Sequence, residues 1–281
     1  MAKIIYIAGL GHSGSTLLDM SLGTLKNVVG LGELKTLLEA EDRKRHYQST
    51  CSCGNPAKDC NWWKDFPSLV QGEVEENQKI ENTIIGFTEK YGADAVMVDS
   101  SKNSNKYLSY LYDNHDLRVI FLTRDIRSWS VSRYLSTGQP VVYYFLRWIL
   151  ENVKLRNRIK RMGIKPFYVG YEELSLYPEF ILKKICNHCD LEYSESMLTP
   201  DKTKSHIISG NVARVDSEKR SGWHYDPRWM TSFRILALSP FLLLFHRQNM
   251  KYVYGNLRNL SGEDFHVFGI KRKREMNEKY N

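Results

Sequence analysis

Close to continuous apolar stretches, rather than alternating ones, mark residues 3–8, 28–31, 95–98, 117–122 and 167–169. A strand with no polar face is a strand covered on both sides. Between these stretches the spacing becomes helical. Leu17, Leu18, Leu22 and Leu25 share one face of a predicted helix over 15–26, and further helices are predicted from Glu33, over 74–91, 103–112 and 125–134, and around 178–189. Strand alternating with helix predicts an α/β fold of three layers, a mostly parallel sheet with helices on both faces. From residue 201 onward loop signals mix with one or two helices, giving a helical C-terminal region from about 227. No internal repeat or low-complexity linker divides the chain. It reads as a single domain over 1–281, with a cysteine-containing insertion around 46–66.

Composition adds bounds. The chain has 281 residues, 42% apolar and 26% charged, which suits a globular protein with a sizeable core. A formal charge of +8 implies an anionic partner without naming the anion. The basic runs Arg43-Lys44-Arg45, 147–161 and Lys271-Arg272-Lys273-Arg274 read as solvated faces, and no nucleic-acid motif accompanies them, so no nucleic acid is expected as a partner. The apolar run 235–245 is too short to span a bilayer and is broken by Ser239-Pro240. It reads as a buried helix, with peripheral membrane contact as the lesser alternative. No secretion signal is seen, and five cysteines are an odd number, which together lead to an expected cytoplasmic location.

The first strand runs into Gly9-Leu-Gly11-His12-Ser13-Gly14-Ser15-Thr16 and then a helix. Glycines allow a tight turn that aims backbone N–H groups at one anion, and the helix start adds free N–H groups and a positive dipole end. Ser13, Ser15 and Thr16 add hydroxyl donors. The loop fits G-x-G-x-x-G, with Glu33 where a ribose-binding acid would lie, so an NAD(P)-dependent oxidoreductase is the alternative reading. It also resembles a Walker A loop, but Ser15 stands at the lysine position, which weighs against a kinase. Downstream, Arg124 ends the fourth strand and Ser132 lies two turns into the next helix. Carboxyl ends of strands are where open α/β sheets bind ligands. This is a second anion site, which a nucleotide with phosphates at both ends would use and NAD would not.

These two motifs, in this order, resemble those of the sulfotransferases that use 3′-phosphoadenylyl sulfate (PAPS), bacterial members above all. That family has a P-loop NTPase-like fold. Gly11 to Thr16 is similar to the 5′-phosphosulfate loop, with His12 in place of the usual Lys or Arg. Arg124 and Ser132 stand at the spacing of the 3′-phosphate signature. Tyr171-Glu-Glu-Leu174 resembles a segment whose tyrosine approaches adenine, Ser209-Gly-Asn-Val-Ala-Arg214 an element near the 3′-phosphate, and Asp99-Ser-Ser-Lys102 a segment carrying an active-site lysine. The resemblance implies sulfuryl transfer from PAPS, with PAP as product, to a hydroxyl or amine of a small molecule or glycan, a carbohydrate or glycolipid first among them. It implies Lys102 and His12 as stabilisers of the leaving group, Tyr171 and Arg214 as nucleotide contacts, and Glu33 as the base. His46, His115 and His224 rank below Glu33. Loss of the loop's permanent cation at His12 makes any charge there pH-dependent.

Cys51-x-Cys53 with Cys60 leaves three readings open: core packing, which is preferred, zinc, and a disulfide. The spacing is not that of a zinc knuckle, no fourth ligand is evident, and His46 is the nearest imidazole in sequence. No metal is expected in the site. Cys186 and Cys189 read as core packing. Tyr134, Tyr143, Tyr144 and Trp148, which follow the second anion motif, are candidates for an acceptor pocket. Oligomeric state has no signal in the sequence.

Overall fold

The structure, a computed structural model, describes residues 1–72, 74–102 and 105–257. Its elements are β1 (Lys3–Gly9), α1 (Ser15–Leu22), β2 (Val28–Gly30), α2 (Leu34–Leu38), α3 (Ala40–His46), α4 (Phe66–Leu69), α5 (Glu76–Tyr91), β3 (Val96–Asp99), α6 (Asn105–Asn114) and β4 (Asp116–Thr123). They continue with α7 (Ile126–Thr137), α8 (Val141–Arg161), β5 (Phe167–Gly170), α9 (Tyr171–Leu176), α10 (Pro178–His188), α11 (Phe233–Ala237), α12 (Ser239–Leu242) and α13 (His246–Val253). The strands form one parallel sheet in the order β2-β3-β1-β4-β5. Each strand stands where an apolar run predicted it.

β1 shows why the sheet is a middle layer. Ile4, Tyr6 and Ala8 enter one buried cluster, Ile5 and Ile7 the other, as the two-residue period of a strand requires. The register pairs Gly9 with Leu122, so the carboxyl ends of β1 and β4 lie side by side. A Cβ at position 9 would stand 2.5 Å from the Leu122 carbonyl oxygen, so glycine permits that close approach. Both anion motifs follow these neighbouring strand ends. The helix over 15–26 is shorter than expected, closing at Gly23. The start of the helix over 103–112 and the run Lys271–Arg274 lie outside the described residues.

Two expectations fail in the C-terminal half. Residues 141–161 form the long helix α8, with Val141, Tyr144, Phe145, Trp148, Asn152, Leu155 and Ile159 buried at helical spacing. Tyr144 and Trp148 therefore belong to the core and line no acceptor pocket, while Tyr143 is exposed and Tyr134 half-buried. The run 235–245 is not a buried helix either. Pro240 starts a new short turn, so no single continuous helix can hide one apolar face. Ile235 is buried, but Phe241, Leu243 and Leu244 are 57%, 78% and 74% exposed. Among the described residues, no helix is long and apolar enough to cross a membrane.

Candidate active site

The β1–α1 loop is held open by its neighbours. Gly14 takes φ 94°, and His12 takes φ 70°, a left-handed conformation that a side chain disfavours. Trp129 Nε1 donates to the Gly11 carbonyl at 2.8 Å, and Arg124 Nη1 donates to the His12 carbonyl at 3.0 Å. Because a peptide unit is planar and trans, fixing the Gly11 carbonyl turns the His12 N–H the opposite way. Ser13, Ser15 and Thr16 are buried around the start of α1, whose first turn carries no acidic residue to occupy its positive end.

The second motif meets the first directly. Arg124 follows β4, is 8% exposed, and stands 4.9 Å above the ring of Tyr171. Ser132, from α7, lies 3.1 Å from His12 Nδ1. Tyr171 in turn packs on the loop: a Cβ on Gly14 would lie 2.4 Å from its ring. Its hydroxyl donates to the His224 carbonyl at 2.9 Å. The ring of Tyr171 thus lies between the loop and the Arg124 guanidinium on one hand and the 223–224 segment on the other. Burial pushes the His12 imidazole down to about 4, and the charges of Arg133, Arg124 and Arg228 push the same way. His12 is therefore neutral at neutral pH and brings the loop no permanent cation, while its Nδ1 faces Ser132 Oγ. Arg124 Nε and Arg133 Nε are buried without a hydrogen-bond partner among the described residues, and unpartnered guanidinium nitrogens beside a loop of hydroxyls suit an oxyanion ligand.

Lys102 and Glu33 follow β3 and β2, on the side of β1 away from β4. Lys102 Nζ donates to Ser15 Oγ at 2.7 Å. Burial lowers its ammonium pKa, and the negative charges of Glu33, Asp99 and Asp19 oppose that shift. Asp99 is fully buried, accepts from the Ser101 N–H at 2.7 Å and from Tyr107, and has its pKa raised, chiefly by burial. Glu33 precedes α2 and makes no side-chain cap, so its carboxylate is not used up as a helix-start acceptor. Ser209 Oγ accepts from the Glu33 N–H at 3.3 Å. A Cβ on Gly210 would stand 3.2 Å from Thr16 Oγ1 and 3.8 Å from Glu33 Oε1. The segment 209–211 therefore covers both the start of α1 and the Glu33 carboxylate. Arg214 does not join Arg124: its Nη1 donates to the carbonyls of Gly210 and Asn211, in its own turn, at 3.4 Å each.

Residues 5–195 match the sequence model of the sulfotransferase family. The chain belongs to the sulfotransferase family. No curated protein matches it. Solved structures similar to it include a sulfotransferase domain from the curacin biosynthetic pathway, at 14% identity and a TM-score of 0.52 over 86% of this chain and 98% of that one. Another is the sulfotransferase domain of the Synechococcus PCC 7002 olefin synthase, at 14% identity and a TM-score of 0.51 over 86% and 96% of the two chains. At such identity these two likenesses speak for the fold alone.

The structure also brings to this region residues that sequence reasoning missed. Asp226 pairs with the Arg124 guanidinium and, at 2.7 Å, with Arg228. An Asp followed by Pro227 is a legible helix-start signal, but its partner 102 positions away is not. Asp19 is buried in α1, accepts from the Gly32 N–H at 3.1 Å, and is pushed up to about 8 by burial. Of the alternative bases, His115 faces Glu81 at 3.3 Å, remote from the loop, and His224 Nε2 lies 3.1 Å from Ser221 Oγ. A cavity of about 540 Å³ opens among Lys3, Val28, Val96 and Asp116, at the amino ends of the strands, opposite the loop, and takes no part in the site.

Proposed function

We propose that this sulfotransferase takes its sulfuryl group from PAPS and places it on an acceptor hydroxyl or amine, with a carbohydrate or glycolipid as the acceptor class. One observation carries the donor assignment. The Arg124 guanidinium hydrogen-bonds the His12 carbonyl, so two anion cradles from neighbouring strand ends adjoin. A nucleotide with phosphates on both sides of its ribose fits two adjoining cradles better than a dinucleotide with one pyrophosphate. Ser13, Ser15, Thr16 and the loop amides would hold the 5′-phosphosulfate. Arg124 and Ser132 would hold the 3′-phosphate, and Asp226 would yield its place on Arg124. Tyr171 would contact the nucleotide from beneath Arg124. Arg214 would have to leave its own turn to join them.

Sulfuryl transfer, like phosphoryl transfer, asks the protein mainly for positioning and charge. The acceptor oxygen forms its bond to sulfur as the bridging sulfur–oxygen bond breaks, and that electron pair leaves on the 5′-phosphate of PAP. Lys102, already on Ser15, would stabilise the departing oxygen, and His12 would add a neutral hydrogen bond. Glu33 would take the acceptor proton.

Calorimetry with PAP and with NADH, followed by PAPS turnover on an acceptor panel with mass detection of the added sulfate, tests this reading. The expected result is PAP binding without NADH binding. Lys102→Ala and Glu33→Gln should each lower kcat about 100-fold or more with PAP affinity within a few-fold of wild type. NADH binding without PAP binding would overturn the donor assignment. Near-full turnover by Glu33→Gln would remove Glu33 as the base.

A further inference from the structure

We propose that Cys51, Cys53, Cys60 and His206 bind one zinc ion, at a closed structural site separate from the sulfuryl-transfer groups. The sequence offers three thiols within ten residues and lacks a fourth donor. The fold supplies it from 146 positions beyond Cys60. His206 Nδ1 lies 3.2 Å from Cys60 Sγ and 4.0 Å from Cys51 Sγ. Cys60 Sγ lies 3.6 Å from Cys51 Sγ and 3.8 Å from Cys53 Sγ. All four donor atoms fall within 4.8 Å of one another. His46, the imidazole nearest in sequence, is not among them.

The four separations given lie close to the edges of a zinc tetrahedron. Zinc at about 2.3 Å from sulfur and about 2.0 Å from nitrogen places tetrahedral sulfurs about 3.8 Å apart and sulfur and nitrogen about 3.5 Å apart. A disulfide needs about 2.05 Å between sulfurs, and the three cysteines here are free. Three soft thiolates with one imidazole select zinc over calcium or magnesium, which require oxygen donors.

The surroundings are built to hold this arrangement. The His206 N–H donates to the Gly30 carbonyl at 2.7 Å, and its own carbonyl accepts from Trp63 Nε1 at 2.8 Å. Its ring stacks on Tyr91. Ser52, between two of the cysteines, is stitched to both neighbours of the histidine. Its N–H donates to the Ile207 carbonyl at 2.9 Å, its Oγ donates to the Ser205 carbonyl at 2.6 Å, and the same Oγ accepts from the Ile207 N–H at 2.9 Å. Cys51 and Cys60 have no exposed surface. Four protein donors leave no open coordination position, which is the pattern of a structural site and not of a catalytic one. The ion would fasten the cysteine loop to the segment around His206. That segment leads directly into Ser209 and Gly210, which cover Glu33 and Thr16.

Metal analysis of untagged full-length protein, purified from zinc-supplemented cells and dialysed, tests the site. The expected result is one zinc per chain. Displacement by cobalt(II) should give thiolate-to-cobalt charge-transfer absorption with tetrahedral d–d bands. Cys53→Ser and His206→Gln should each retain about a tenth of the wild-type zinc or less. Should a variant misfold, chelator-driven zinc release from the wild-type protein, with thiols counted before and after, gives the same answer: three newly reactive thiols per zinc released. Purified wild-type protein with about a tenth of a zinc or less per chain overturns the proposal. So does a chain lighter by two hydrogens, which is a disulfide, and so does zinc content unchanged in both variants.

Discussion

Gly11 and Gly14 occupy equivalent-looking places in the glycine-rich pattern, yet the backbone asks different things of them. At Gly14, φ is 94° and an added Cβ would lie 2.4 Å from the Tyr171 ring. At Gly11 φ is not in the left-handed region, and an added Cβ would meet nothing within 4 Å. Gly14→Ala carries about 1–2 kcal/mol of left-handed strain and must also displace the Tyr171 ring. At a few degrees per kcal/mol, Tm should fall by about 5–10 °C. PAP affinity should fall about tenfold or more, because Tyr171 and the loop shift together. Gly11→Ala should keep Tm within about 1 °C. Thermal unfolding and calorimetry on both variants check the contrast. An unchanged Gly14→Ala protein would mean that the ring does not rest on the loop.

Among the elements, α7 depends on one buried carboxylate. Asp125 has no exposed surface and accepts from the Arg127 N–H at 2.9 Å, Arg127 Nε at 2.8 Å, Arg127 Nη2 at 2.7 Å, Asn249 Nδ2 at 2.8 Å and the Tyr254 hydroxyl at 3.0 Å. Its own N–H donates to Glu172 Oε2 at 2.8 Å, so β4, α7, α9 and α13 meet here. Burial alone would raise its pKa, but the bonds and charge of Arg127 outweigh burial and lower it. Glu172 is pushed up to about 8 by burial and then by the Asp125 charge. Removing one partner of a buried pair costs about 3–5 kcal/mol, so Asp125→Ala should lose that much in denaturant unfolding. Arg118→Ala, which breaks the more exposed pairs with Asp116 and Asp190, should stay within about 1 kcal/mol of wild type. A carboxylate with a depressed native pKa stabilises fully above its ordinary value of 3.8 and loses that contribution as pH falls through its native value. The ionic part of the Asp125→Ala deficit should therefore shrink in acid below 3.8. Equal stability losses in the Asp125 and Arg118 variants would refute the hub.

At the scale of the whole molecule, what the sequence revealed depended on distance along the chain. The five strands were readable because burial on both faces leaves continuous apolar runs. The two candidate anion motifs were readable because each packs its donors into a few consecutive residues. The pairing of Asp226 with Arg124 and the fourth donor His206 could not be read, since 102 and 146 residues separate the partners. α8 escaped because its buried stripe of Tyr144, Phe145 and Trp148 looks the same in one dimension as a pocket lining. The outer stripe of that helix leaves Val142, Leu146 and Leu150 at 51%, 56% and 57% exposure, each one turn from the next. The C-terminal turns that share its buried cluster through Ile235 leave Phe233 and Leu236 exposed besides Leu243 and Leu244. Exposed Arg234 and Arg247 stand among these positions. Apolar side chains flanked by arginine suit the surface of an anionic bilayer, where a glycolipid acceptor would present its head group. The protein should co-sediment with vesicles containing phosphatidylglycerol and bind neutral phosphatidylcholine vesicles more weakly. A Leu146→Asp, Leu243→Asp, Leu244→Asp triple variant should weaken vesicle binding about tenfold or more, with Tm and turnover on a soluble acceptor unchanged. Equal binding of this variant and wild type, or no binding by wild type, would leave the apolar face without a membrane role and favour a water-soluble glycan as the acceptor.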